Sequence, residues 1–558
     1  MNEQGSQLPT DLAHDDRPKR DQMKAMADEN ACRTSVEASC LAVLRRAKDS
    51  RTVAHLPFLI AAALALLLVS AQPINHDVAW TLVAGRKLLD GAAFGREIFD
   101  FNLPWVYYVS AAAVGIARLT AITDIQALTG LIVLLSSGSA LLIHRLLGTP
   151  DQASFRYPCT LSFFVVAMVA PGYDFGQREH FIFVLMAPYL VAIALRCADR
   201  RPWVRDAGLV GAMGGVAILF KPYWALLPLA LEVYLAVRKR RHWMPIRPES
   251  ILFAMTSAMG LVATLLLAPN YASEMVPLGM RTYWAYSLPF NAGPTIIICL
   301  PIALVAAPAL TMALARRRTS TSFPAFAAVA LVAGLTGTAI WAGQGKFFEY
   351  QAMPVKCVAL WAGLASIGYG VASRADEKPS RRLFPHGLPA AAVVALVLGG
   401  GFLGLRWNSV SDAMRAQIAA VEVALGDGPV RSLYAFSTSI PPAFPLVNEL
   451  GATWPVRLQC LWPLPAVVRP GPLSTELKAA IGAQLLQNVV DDLVSAPPDA
   501  VLVETSARKQ ALEGLKFEFL PWFAQSSEFQ RLWEKYELRD TVSAPNGRSF
   551  QVWRLRPI

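Results

Sequence analysis

The chain has 558 residues, 54% of them hydrophobic and only 16% charged, with a formal net charge of +11. Soluble domains carry about 25% charged residues, so this composition excludes an ordinary cytoplasmic globular enzyme and a disordered chain. The seven cysteines show no Cys-x-x-Cys or Cys/His spacing, and only Cys460 lies in the long polar C-terminal part, so a disulfide framework there and a sequence-evident zinc site are excluded too.

Residues 1–52 are polar and mixed in charge, without a sustained apolar stripe, and read as a cytoplasmic disordered tail. The first apolar run follows Arg45, Arg46, Lys48 and Arg51, so it enters with its N-terminus inside, as a retained anchor and not a cleaved signal. Apolar segments then fall near 55–72, 104–122, 124–147, 157–171, 181–197, 206–220, 223–237, 250–269, 293–315, 323–342, 351–372 and 388–406. About 20 such residues at a rise of 1.5 Å cross a bilayer core. Residues 53–406 are therefore expected to form an α-helical polytopic membrane domain with about 11–13 transmembrane helices.

The positive charge sorts with this pattern. Basic clusters at 196–205, 238–247, 316–318 and 374–382 mark cytoplasmic connections, while the alternate connections hold single basic residues, Arg178, Lys221, Arg281 and Lys346. Membrane topology thus accounts for the charge, and nucleic acid is not an expected partner. Parity adds a constraint. Phe101 and the loop from Asp174 to His180 should share the outer side, yet three apolar segments separate them. One of the three must fail to cross, and the short 158–170 piece is the candidate.

The outer regions long enough to fold are the first outer loop, 73–103, and the tail, 407–558, which is expected to be a small periplasmic α/β domain. Strand-type runs lie at 430–436, 500–503 and 550–555, and helical stretches at 412–425, 475–494 and 527–536. The Pro-rich, aromatic stretch 437–462 reads as a rigid loop facing the membrane. No P-loop or Ser/His/Asp signature is present. The outer regions also lack an Asn-x-Ser/Thr site, which fits a bacterial inner membrane, with the N-terminus cytoplasmic and the C-terminus periplasmic.

Polar chemistry concentrates at the outer edge. In the first outer loop Asp77 opens a short helix that Gly91 ends, and Asp100 precedes Asn102, Pro104 and Tyr107. Those residues also fit a helix cap and a turn. The second loop, GYDFGQREHF, packs Asp174, Arg178, Glu179 and His180 against an apolar segment, where a charge left in hydrocarbon costs about 2.5–3.5 kcal/mol. Arg178 can hold a phosphate, His180 can hydrogen-bond it and Glu179 can orient the arginine. An interfacial cap with mutually neutralised charges fits the same residues.

The order acidic residue, helix of the form A...LL.G, second acidic residue and Pro-rich entry, matched by Asp77, 84–91, Asp100 and 102–107, resembles the first outer loop of the C-type (GT-C) membrane glycosyltransferases. That superfamily includes protein O-mannosyltransferases and the lipid A aminoarabinose transferase. The resemblance implies sugar transfer from a polyprenyl-phosphate donor to an envelope glycan, lipid or protein acceptor. It implies Asp77 as catalytic base, with Asp100 a second acid that binds acceptor or a divalent metal ion; no other cofactor is implied. Lys346 and Tyr350 in QGKFFEYQAMP look like the family's K...YH.LP element, with Gln351 where His is often seen. Lys221 before Pro222 looks like GxxxLxKP, and Arg281 lies in an aromatic outer loop that in the family covers the donor. Snorkelling lysines and an aromatic belt fit these edges as well. A secondary transporter, or an envelope polysaccharide polymerase or ligase, remains an alternative. No internal repeat favours the transporter.

Overall fold

A computed structural model describes residues 58–64, 66–67, 73–288, 322–377, 412–544 and 547–556. The expected tail 1–52 and the expected segments 293–315 and 388–406 lie outside them. The described residues from 60 onward form one compact unit.

The bundle is built in chain order from α1 (His76–Leu89), α2 (Trp105–Leu119), α3 (Asp124–Leu146), α4 (Ala153–Val169), α5 (Arg178–Cys197), α6 (Val204–Ile218), α7 (Leu226–Lys239), α8 (Pro248–Leu267), α9 (Val276–Thr282), α10 (Phe323–Gly343) and α11 (Met353–Glu377). Among the described residues, five helical stretches are long and apolar enough to cross a membrane: 124–146, 178–197, 248–267, 323–343 and 349–370. The chain is a polytopic α-helical membrane protein. Its outward faces match that solvent: Met255, Met259, Val262 and Leu266 on α8 are all exposed.

Ion pairs define the two ends of the bundle. At one end Arg145 of α3 bonds Asp206 at 2.6 Å, Arg196 holds Glu249 at 2.9 and 3.0 Å, Arg247 bridges Glu249 and Glu232, and Arg200 donates to Asp151 at 3.0 Å. This is the basic end that the sequence marks as cytoplasmic. At the other end lie Asp77, Arg178, Glu179 and Lys221.

These markers resolve the parity constraint differently from the sequence expectation. α3 leaves the site end, where Asp124 bonds Arg86 of α1 at 2.6 Å, and reaches the basic end at Arg145. α4 starts beside Arg200 and returns to Ala167, whose carbonyl meets His180. The segment that begins and ends at the same end of the bundle is α2. It begins where Trp105 Nε1 donates to Thr264 at the far end of α8, and it ends where Arg118 pairs with Asp90 just past α1. α1 and α2 form a hairpin packed so closely that a Cβ at Gly85 would sit 2.7 Å from the Ala111 nitrogen. α1 and α2 thus both stay at the site end, and the 158–170 piece lies in α4, which runs from the basic end to the site end.

A second tight crossing ties α6 to α8. A Cβ at Gly211 would overlap the Glu249 carbonyl. Replacing Gly211 with Ala is expected to force the helices apart and destabilise the protein by about 1–3 kcal/mol, typical of overpacking; a lowered Tm of the detergent-solubilised chain measures it.

The C-terminal part is a four-stranded mixed sheet of order β1-β2-β4-β3. β1 (Leu433–Phe436) runs parallel to β2 (Ala500–Glu504), and β4 (Ser549–Leu555) is antiparallel to β2 and β3 (Tyr536–Ser543). β3 is absent from the sequence reading because its middle is polar and exposed; the preceding helix, Ser527–Trp533, ends earlier than expected. The stretch 437–462 packs on α1: Phe444 meets Trp80 edge-on at 5.4 Å, Asn448 donates to the Ala79 carbonyl at 3.1 Å and Lys87 to that of Val456 at 2.9 Å. Phe99 continues this seam through a backbone bond to Arg457 of 2.8 Å. The C-terminal part therefore packs directly on the α1–α2 hairpin and the loop that joins its helices.

Candidate active site at the charged end of the bundle

The site is assembled by three short turns. Asn75 is the N-cap of α1, its side-chain oxygen accepting from the Asp77 N–H at 2.9 Å. The same oxygen accepts from Gln177 Nε2 at 3.0 Å, and Asn75 Nδ2 donates to Asp174 at 3.1 Å. One asparagine thereby locks the start of the first loop onto the second. Gln177 is in turn the N-cap of α5, which places Arg178 and Glu179 in that helix's first turn.

The third turn follows α6. Lys221 precedes Pro222, and the proline ring forces it into an extended conformation, φ −153°. Its ammonium is thereby carried back into the bundle, where it pairs with Glu179. Phe181 and Phe220 stack with ring centroids 4.9 Å apart, fixing the turn against α5.

The result is two crossed ion pairs. Arg178 Nη2 lies 3.6 Å from Asp77 Oδ2, both groups nearly buried. Glu179, wholly buried, pairs with Lys221 and not with the adjacent arginine that the sequence suggested it would orient. Lys221 also lies 5.1 Å from the centre of the Tyr350 ring. Lys346 sits 4.1 Å over the Tyr283 ring and donates to the Tyr283 carbonyl at 3.2 Å. Tyr283 in turn packs on Phe101 at 4.4 Å and stacks on Tyr286 at 5.3 Å. The charges of Arg178, Asp77 and Asp100 all reach the Tyr283 hydroxyl.

The other expected residues are placed differently. Asp100 is buried, but its carboxylate accepts from Tyr107 at 2.5 Å and from the Asn102 side chain and backbone at 2.7 and 2.9 Å. Among the described residues no group of three or more His, Cys, Asp or Glu side chains is gathered to hold a metal ion. His180 has both ring nitrogens taken by backbone, Gly176 N–H at 3.2 Å and the Ala167 carbonyl at 2.8 Å, which leaves neither for a phosphate. Arg281 is exposed on the last turn of α9. Asn75 and Gln177, absent from the sequence-based set, are the residues that tie the two loops together; side-chain amides at two N-cap positions are the signal that marks them.

Electrostatics follow from this burial. Burial works against ionising Asp77, but is outweighed by the charge that His76 can carry, by Arg178, by a Gln177 hydrogen bond and by Lys221, so its carboxyl lies below the ordinary aspartate range. Burial pushes the Lys221 ammonium below the usual lysine value despite Glu179, and pushes Lys346 down to about 8. Asp174 moves the other way. Burial, then Glu179, raises its carboxyl to about 7, with Asp77 and Glu349 adding to the rise and Lys356 opposing it.

Because the ordinary value is 3.8, the raised Asp174 favours the folded state when protonated. Its stabilising contribution is complete below about pH 4 and is lost as pH rises through about 7. Asp174→Asn is neutral throughout and is expected to flatten this slope, read from thermal melts of wild type and variant across that window.

No protein-family model and no curated protein matches the sequence. The structure is similar to the crystal structure of ArnT from Cupriavidus metallidurans bound to undecaprenyl phosphate, with a TM-score of 0.51 and 15% sequence identity, covering 90% of this chain and 98% of that one. The chain therefore has the fold of that ArnT structure, a polytopic helical bundle followed by a small sheet part.

Proposed function

We propose that the chain is an integral membrane glycosyltransferase. It takes a sugar from a polyprenyl-phosphate donor and passes it, with inversion, to an envelope lipid, glycan or protein acceptor on the periplasmic side of the inner membrane. The observation that carries this reading is the crossed pairing of Asp77 with Arg178 and Glu179 with Lys221 at one end of a membrane bundle. The solved ArnT, of the same fold, is bound to undecaprenyl phosphate. The orientation follows from the opposite end, where the arginine-rich connections belong in the cytoplasm.

The chemistry follows from the charges. Arg178 and Lys221 bind the phosphate of the donor, with Lys346 beside them. Asp77 is ionised at neutral pH and accepts the proton of the acceptor hydroxyl. As the acceptor oxygen bonds to the anomeric carbon, the bond from that carbon to the phosphate oxygen breaks and its electron pair leaves on the polyprenyl phosphate. Attack opposite the leaving group inverts the configuration. Phosphate binding also helps the base, because anionic oxygens beside Arg178 offset the positive charge that holds the Asp77 carboxyl low, and its proton affinity rises.

The test is to give membranes containing the chain a polyprenyl-phosphate sugar labelled in the sugar. Label in a glycosylated product is expected. Sugar carried across the bilayer without a product would identify a transporter instead.

A further inference from the structure

Two acceptor atoms at the site lack donors. Glu179 Oε2 and Gln177 Oε1 are both buried, and among the described residues neither has a hydrogen-bond partner, although Glu179 Oε1 is paired with Lys221 and Gln177 Nε2 donates to Asn75. Leaving a buried acceptor unsatisfied costs about 1–3 kcal/mol, and more for a charged group. The two residues stand on either side of Arg178 in the chain, the cation that faces Asp77, and each reaches the site through its other atoms, Glu179 Oε1 to Lys221 and Gln177 Nε2 to Asn75.

A fully ionised lipid phosphate cannot meet this demand. Its oxygens are acceptors, and they suit Arg178 and Lys221 but not a carboxylate or an amide oxygen. The segment asks for a ligand that brings anionic oxygens to the cations and hydroxyl donors to the acceptors at once. A glycosyl phosphate does both. Resting on the glycosyltransferase reading, we propose that Glu179 and Gln177 are specificity-determining residues that accept hydrogen bonds from hydroxyl groups of the donor sugar. Glu179 thus has two roles on its two oxygens, one toward Lys221 and one toward the sugar. A site with such acceptors discriminates against a sugar lacking the matching hydroxyl, because the analogue leaves the acceptor buried and unpaired.

The experiment uses the full chain in lipid nanodiscs. The probes are undecaprenyl phosphate and undecaprenyl phosphate carrying glucose, mannose or arabinose, with binding followed by tryptophan fluorescence. The quantity read is the ratio of affinity for the best sugar-bearing lipid to that for the bare lipid. Glu179→Gln keeps a bond to Lys221 but turns the free acceptor into an amide donor, and Gln177→Met keeps the shape without polar atoms. Each is expected to lower the ratio about tenfold, the size of one lost hydrogen bond to a buried acceptor. An unchanged ratio in both variants overturns the proposal, whatever happens to the bare-lipid affinity. Wild-type protein that binds none of the lipids contradicts the glycosyltransferase reading itself. If one variant does not fold, the other decides.

Discussion

Asp77→Asn is expected to reduce sugar transfer by about 10²- to 10⁴-fold, the usual contribution of a positioned general base. The substitution keeps the helix-start geometry, because the Asn75 cap bonds the backbone N–H of residue 77 and not its side chain. It removes the negative charge that faces Arg178 at 3.6 Å. The freed arginine is then more available to phosphate, so donor binding should be unchanged or tighter while turnover falls. A drop in turnover with retained affinity separates loss of the base from loss of the fold.

Lys221→Met is the second large effect, and it acts first on stability. The change strands Glu179, which is wholly buried, without its cation. Breaking one side of a buried pair costs about 3–5 kcal/mol. Removing both charges with Lys221→Met and Glu179→Gln is expected to recover most of that loss, because the uncompensated charge is gone. The double variant should still fail to transfer sugar, because the phosphate has lost one of its cations. Thermal melts and transfer assays on the two single variants and the double, set out as a cycle, measure both parts.

Much of this architecture is legible in the sequence because the bilayer imposes long apolar runs. The expected segments 124–147, 181–197, 250–269 and 323–342 correspond to α3, α5, α8 and α10 within a few residues. The course of α2 is not legible, since a helix packed under a second part of the chain can be as apolar as a spanning one; the Trp105 to Thr264 bond and the Arg118 to Asp90 and Asp124 to Arg86 pairs show it. The charged residues of the candidate site stand out for a similar reason, as rare charges at apolar edges. Their partners do not. Glu179 and Lys221 are far apart in the chain, and the neighbouring Arg178 is the more obvious match until the turn at Pro222 brings the lysine in. β3 escapes detection because its exposed polar centre carries no alternation.

The central claim is that the charged end of the bundle breaks the bond between a sugar and a polyprenyl phosphate with Asp77 as base. Its most direct test is the release of undecaprenyl phosphate from a labelled undecaprenyl-phosphate sugar, with membrane extract as acceptor, by purified wild type and Asp77→Asn in nanodiscs. The account predicts release matched one to one by labelled product in the wild type, and release near background in a variant that still binds donor. Equal release by both proteins, or sugar that crosses the bilayer with its donor bond intact, would contradict it.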